Sequence, residues 1–179
     1  AFRDGQSDFA AFEAARAGGL PYGCHPTFAV GGRAAQGLSG PTGEHLALGS
    51  PISFKRPDGK DVNGYLAEPA GGGDKAPGIV VIQEWWGLND QIRGVADRVA
   101  AAGFTALVPD LYRGKSTVEA EEAHHLMSGL NFGDAASQDV RGAVQYLKSS
   151  HAKVGVTGFC MGGALTVLSL TMAPEADAG

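Results

Sequence analysis

The residue types able to do covalent chemistry in this 179-residue chain converge on one window, Val154-Gly-Val-Thr-Gly158-Phe159-Cys160-Met161-Gly162-Gly163-Ala164. A β-prone run enters it, a Gly-x-Cys-x-Gly-Gly turn follows, and a helix-prone run leaves it. A turn this tight strains its central residue and needs small residues two positions either side, where neighbouring backbone would otherwise collide. Cys160 would then stand above a sheet at the N-terminus of the next helix, where the helix dipole favours thiolate. The N–H of Met161 would point at an oxyanion developing beside that sulfur. The spacing predicts a nucleophile elbow carrying cysteine in place of serine. The alternative is a buried cysteine packed into a glycine-rich strand-to-helix turn. A phosphate-cradling loop fits less well, because no Lys-Ser/Thr pair follows the glycines.

Two further windows end buried strands. In Ile82-Gln83-Glu84-Trp85-Trp86-Gly87, Glu84 supplies a carboxylate able to act as base toward a thiol, and the Trp85 N–H a second oxyanion donor. Ligands in open α/β sheets bind outside the carboxyl ends of strands, so this loop should share a crevice with Cys160. The plainer account makes Glu84 a solvated strand-end acid and the tryptophans core or interface filler. In Val108-Pro-Asp110-Leu-Tyr112-Arg113-Gly114, Arg113 offers bidentate capture of a substrate carboxylate with Tyr112 beside it. Its plainer account has Asp110 capping local backbone and Arg113 as a surface charge.

The elements that would position these residues follow from hydrophobic period and punctuation. Ile52–Arg56 and Val62–Glu68 alternate around Pro57-Asp58-Gly59, which predicts a β-hairpin. Gly78–Gln83 and Phe104–Val108 are apolar on both faces, as parallel strands require, and Lys153–Thr157 is a third such strand. Asn89/Asp90 caps a helix with Ile92, Val95, Ala96, Val99 and Ala100 on one stripe, ended by Gly103. Ser116-x-x-Glu119 predicts a capping box opening an acidic helix toward Met127. Asp134–Ser149 places Val140, Ala143, Val144 and Leu147 at helical spacing, and Ala164–Leu170 continues as helix. After the hairpin the order is β-α-β-α-α-β-α, so the fold class is α/β: a three-layer, mostly parallel sheet.

Composition bounds the rest. With 14 Lys+Arg against 19 Asp+Glu the net charge is −5, which argues against a nucleic-acid or anionic-membrane surface. The longest apolar run, Gly78–Ile82, is far too short to span a bilayer. Two cysteines cannot build a disulfide framework, so a reducing, cytoplasmic setting is expected. Residues 1–50 hold 10 Gly and 3 Pro but only 5 Ile+Leu+Val, against 26 Ile+Leu+Val in residues 51–179. The first fifty residues read as irregular lead-in apart from a possible helix over Asp8–Ala17, and the domain begins at residue 51. Cys24, His25 and His45 are too sparse for a zinc site, and no metal or cofactor is expected.

Taken together, Gln83-Glu84-Trp85-Trp86-Gly87, Val108-Pro-Asp-Leu-Tyr112 and Gly158-Phe-Cys160-Met-Gly-Gly163 resemble the dienelactone hydrolase (carboxymethylenebutenolidase) family. Phe54-Lys-Arg-Pro-Asp-Gly-Lys and Gly64-Tyr-Leu-Ala-Glu-Pro69 resemble that family's N-terminal hairpin, and the likeness runs from about Ile52 to Met172. The resemblance implies an α/β-hydrolase fold with a Cys-His-Asp triad, opening small carboxylated esters or lactones without metal or cofactor. By motif, Cys160 is then the nucleophile and Glu84 the carboxylate that helps generate thiolate. Trp85 and Met161 provide the oxyanion N–H groups, and Arg113 is the nearest match to a substrate-carboxylate arginine.

The family's triad Asp and His follow later strands. No His follows Gly163 here, and Asp177 comes too soon after the elbow helix to serve. His124-His125 fall on the acidic helix and His151 at the far end of the elbow strand. The expectation is a C-terminally truncated family member, inactive by itself. A non-catalytic α/β binding module and a related thioesterase or esterase remain open as alternatives.

Overall fold

The computed structural model describes residues 49–72 and 76–179. The readings that fall on residues 1–48, including the helix over Asp8–Ala17 and the residues Cys24, His25 and His45, lie outside the described residues. The hairpin is β1 (Ser50–Lys55) and β2 (Asp61–Ala67), paired antiparallel with Lys55 opposite Asp61. Its turn closes through Arg56 N–H to Lys60 O at 2.8 Å and Gly59 N–H to Arg56 O at 2.9 Å. Phe54 and Val62 are buried on one face of the hairpin, and Tyr65 and Ala67 on the other.

Three parallel strands continue the sheet: β3 (Gly78–Ile82), β4 (Thr105–Pro109) and β5 (Val154–Gly158). The order is β1-β2-β4-β3-β5, with β2 antiparallel to β4 and β3 parallel to both β4 and β5. The sheet is therefore mixed, its parallel part lying where the chemistry does. Helix α1 (Asp90–Ala101) covers one face, packing Ile92, Ala96 and Ala100 against Val81, Ala106 and Val108. Asn89 caps it as expected, its Oδ1 accepting from Ile92 N–H at 3.2 Å. The opposite face carries α2 (Ala120–Gly129), α3 (Arg141–Lys148) and α4 (Met161–Met172). Val140, Ala143, Val144 and Leu147 are buried there with Val80, Ile82, Leu107 and Val156. So β3 is apolar on both sides because a helical layer sits on each.

Two local expectations are corrected. Ser116-x-x-Glu119 does not cap α2, whose N-cap is Glu119 with no side-chain cap hydrogen bond; Thr117 orders the lead-in instead, its Oγ1 accepting from Glu119 N–H and donating to Glu122 Oε2, both at 3.0 Å. Ser116 misses because α2 starts at Ala120, with Glu119 at the N-cap position. The helix expected from Asp134 is α-helical over Arg141–Lys148 alone. Before that the chain makes a short turn, Phe132–Asp134, and a π-helical segment, Ala135–Val140.

After α4 the chain turns back to the sheet. Asp177 N–H donates to Val154 O at 2.8 Å and Val156 N–H to Ala178 O at 2.9 Å, a parallel bridge on the outer edge of β5. The Asp177 carboxylate accepts from Lys148 Nζ (2.6 Å), Val154 N–H (2.8 Å) and Lys153 Nζ (3.0 Å). Those bonds, Lys148 first, hold it well below the usual carboxylate range.

Candidate active site

The turn from β5 into α4 has the strained geometry the spacing predicts. Cys160 adopts φ 54° and ψ −117°, left-handed backbone that L residues other than glycine seldom occupy. Both flanking glycines are required by close approach. A Cβ on Gly158 would strike the Gly162 carbonyl, and one on Gly162 would come within 2.5 Å of Ile82 O and 2.6 Å of Gln83 O. Gly163 and Ala164 N–H close the first helical turn onto Cys160 O at 3.0 and 3.3 Å. Cys160 itself is exposed and forms no disulfide, so the buried-cysteine alternative does not describe it.

Register brings the β3 loop alongside. Ile82 pairs with Gly158 on the neighbouring parallel strand, so Glu84 and Cys160, each two residues further on, leave the same edge of the sheet. Glu84 and Phe159 line one cleft of ≈ 530 Å³ together with Ile79, Val95, Val99 and Phe104. Trp85 packs into the core that holds Tyr112 and Met161, with the Trp86 ring edge-on to it at 5.0 Å. Among the described residues, the backbone N–H groups of Trp85 and Met161 donate to no protein acceptor. That leaves them available to an oxyanion. Thr117 N–H donates to Trp86 O at 3.0 Å, tying this loop to the one after β4.

The β4 loop contributes Tyr112, which is buried and donates its hydroxyl to Met161 Sδ at 3.3 Å. Burial, with the nearby charge of Cys160, pushes its phenol up to about 12, so it stays protonated across the physiological range. Arg113 departs from expectation. Instead of facing open space for a substrate carboxylate, its Nη2 donates to both Asp139 oxygens at 2.8 and 2.9 Å, and its Nη1 to Asp110 O at 2.9 Å. Nη2 is thus taken up by the carboxylate and Nη1 by a main-chain carbonyl, so both terminal nitrogens that a substrate carboxylate would use are already engaged. Asp110 does cap local backbone, accepting from Tyr112 N–H at 3.1 Å and from Gly114 N–H.

Sequence reading missed Asp139 and Arg56, buried partners that come from remote segments. A buried charge needs a partner, which is the signal that could have paired them. Among the described residues, no histidine is placed at the Cys160 sulfur. His151 is buried with Nδ1 2.8 Å from Ala76 O at the amino end of β5, while His124 and His125 are exposed on α2. His125 does border a small cleft with Tyr112 and Leu126. Among the described residues no cluster of His, Cys, Asp or Glu could hold a metal, and no helix is long and apolar enough to cross a membrane.

The sequence profile of the dienelactone hydrolase family matches residues 62–179. The chain belongs to the dienelactone hydrolase family. It is 40% identical over 129 residues to Protein usf of Aquifex pyrophilus, covering 67% of this chain and 54% of that protein. It is 31% identical over 129 residues to the carboxymethylenebutenolidase of Pseudomonas putida, covering 65% and 53% respectively. Among solved structures it resembles a dienelactone hydrolase-like promiscuous phosphotriesterase from metagenomic libraries, at TM-score 0.56 and 26% identity, covering 68% of this chain and 54% of that one. The chain thus spans about half the length of the dienelactone hydrolase relatives it matches. The fold is that of the α/β-hydrolases, as the family resemblance implied and in line with the α/β class read from the element order.

Proposed function

We propose that this chain supplies the nucleophile and oxyanion site of a carboxylic-ester hydrolase of dienelactone hydrolase type, acting on small carboxylated esters or lactones through an acyl-enzyme. The observation that carries the reading is Cys160 held at φ 54° between two glycines that admit no side chain. Glu84 takes the thiol proton, and the Cys160 thiolate attacks the ester carbonyl. The developing oxyanion is met by the N–H groups of Trp85 and Met161, the latter at the positive end of α4. Collapse forms a thioester and releases the alkoxide, which takes up a proton; in a lactone this opens the ring. Water then hydrolyses the thioester, returning the thiol and a carboxylic acid.

Tyr112 forms the buried wall beside the sulfur. Arg113, committed to Asp139, is assigned to holding its loop rather than to the substrate. The triad imidazole and its Asp are assigned to sequence beyond this chain, in keeping with its share of its relatives' length. Two cysteines and a net charge of −5 suit a reducing cytoplasmic setting and a small-molecule substrate rather than nucleic acid or membrane.

Activated esters and lactones tested with the full-length protein decide the reading. Turnover that disappears with Cys160→Ala supports it, and turnover that survives refutes the nucleophile. Absence of turnover from a full-length protein whose thiol is no more reactive than free cysteine favours a binding module.

A further inference from the structure

Among the described residues, just two that are not glycine have positive φ: Cys160 at 54° and Arg113 at 55°. They are joined by a short path. Tyr112, next to Arg113, donates its hydroxyl to Met161 Sδ at 3.3 Å, next to Cys160. A left-handed L residue is strained and persists only where its surroundings over-determine it. At Cys160 the elbow does so. At Arg113 the over-determining group is the Asp139 carboxylate, 1% exposed, which accepts from Arg113 Nη2 at 2.8 and 2.9 Å.

Asp139 is itself anchored. Arg56 Nη1 reaches it from the hairpin turn at 3.2 Å, and the same guanidinium binds Asp134 at 2.8 Å and Asp58 at 3.0 Å. One arginine would neutralise one buried carboxylate; the second arrives from the loop that carries Tyr112. Asp139 also lies within the π-helical segment Ala135–Val140, and π-helical turns concentrate at functional sites.

We infer that Asp139 is a positioning residue for the candidate site: through Arg113 it sets the backbone after Tyr112 and so holds the Tyr112 ring against Met161 beside Cys160. This rests on the reading of Cys160 as the nucleophile. Loosening Tyr112 lets Met161 and the first turn of α4 relax, weakening the helix-terminal stabilisation of the Cys160 thiolate.

The test is the rate of Cys160 alkylation by iodoacetamide as a function of pH, in the full 179-residue chain with Cys24→Ser. Melting curves monitor the fold. Asp139→Asn and Arg113→Ala should each slow alkylation near neutral pH by about three- to fivefold, the scale of a helix-terminus contribution. Each should also move the alkylation midpoint to higher pH. Arg113→Lys, which keeps a cation beside Asp139, should recover part of the rate. Adding Tyr112→Phe to either variant should cost less than it does alone. If Asp139→Asn fails to fold, Arg113→Ala, at a half-exposed side chain, decides. Fast alkylation that Arg113→Ala leaves unchanged in rate and midpoint overturns the positioning role alone. Alkylation no faster than that of free cysteine in the parent chain overturns the nucleophile reading and this inference with it.

Discussion

Gly162 stands against the carbonyl oxygen of Ile82, so close that a Cβ there would sit 2.5 Å from it. The first turn of α4 is thereby pressed onto the end of β3, and the elbow bearing Cys160 and the loop bearing Glu84 leave neighbouring strands at the same end of the sheet. Gly162→Ala should therefore destabilise by about 1–3 kcal/mol, the usual range for over-packing. It should also slow Cys160 alkylation. Urea unfolding and thiol kinetics on the same sample check both, and a variant as stable as the parent would show that β3 and the elbow can separate.

Arg56 and Asp139 form a buried pair tying the hairpin turn to the π-helical segment, with side chains 7% and 1% exposed. Arg56→Leu leaves Asp139 with less compensation and should cost on the order of 3 kcal/mol. Arg56→Leu with Asp139→Leu should cost less than the sum of the two single changes, measured by a denaturant double-mutant cycle. Strict additivity would mean that the two groups do not sense each other.

Glu175 holds α3 to the segment after α4. It accepts from Arg141 Nη2 and Gln145 Nε2, both at 2.8 Å. Arg141 above all, with Gln145, brings its carboxyl from 4.5 to about 2. A pKa lower in the folded state gives stability that is complete above the ordinary carboxyl range and is lost as pH falls toward about 2. Glu175→Gln should thus melt lower than the parent at neutral pH and show a shallower decline on acidification. Parallel melting curves from pH 5 downward are the check.

Tyr112 should titrate late. With its phenol near 12, the difference in phenolate absorbance between the parent chain and Tyr112→Phe should be absent at pH 10 and emerge only as pH approaches 12. Phenolate from this residue at pH 10 would place Tyr112 in water rather than against Met161.

Asp177 fastens the chain after α4 to the outer edge of β5. Asp177→Ala removes the acceptor for Val154 N–H and both lysine contacts. Exchange of the Val154 and Val156 amides should accelerate about tenfold, while β3 amides hold their protection. Unchanged exchange at Val156 would mean that the Ala178 bridge stands without the carboxylate.

What could be read from sequence divides by the range of the forces involved. The hairpin, the three parallel strands and the elbow were legible because alternation, buried apolar runs and the Gly-x-Cys-x-Gly-Gly spacing are local signals. Asn89 capped α1 for the same reason. The Ser116 cap failed because α2 starts only at Ala120, so the N-cap position falls on Glu119 and Ser116 lies too far back for its hydroxyl to reach a helical N–H. The partner of Arg113 was not legible because it lies 26 positions away, and Arg56 and Asp139 are 83 apart. Nothing within a helix-length window announces such pairs. The pairing of Ala178 with Gly155 was hidden likewise, since a two-residue bridge leaves no periodicity.

The π-helical segment has a bearing on how this sequence can change. A helix turns by about 100° per residue, so the angle around the axis between Asp134 and Asp139, which Arg56 bridges, depends on how many residues wind between them. A substitution at a half-buried position such as Ser137 leaves that count alone. Loss of a single residue between the two aspartates swings Asp134 about a quarter turn relative to Asp139, so that Arg56 no longer reaches both, while Asp139, Val140, Ala143, Val144 and Leu147 keep their places in the core. The segment works as a fixed-length gauge, and its tolerance is for chemistry rather than for number.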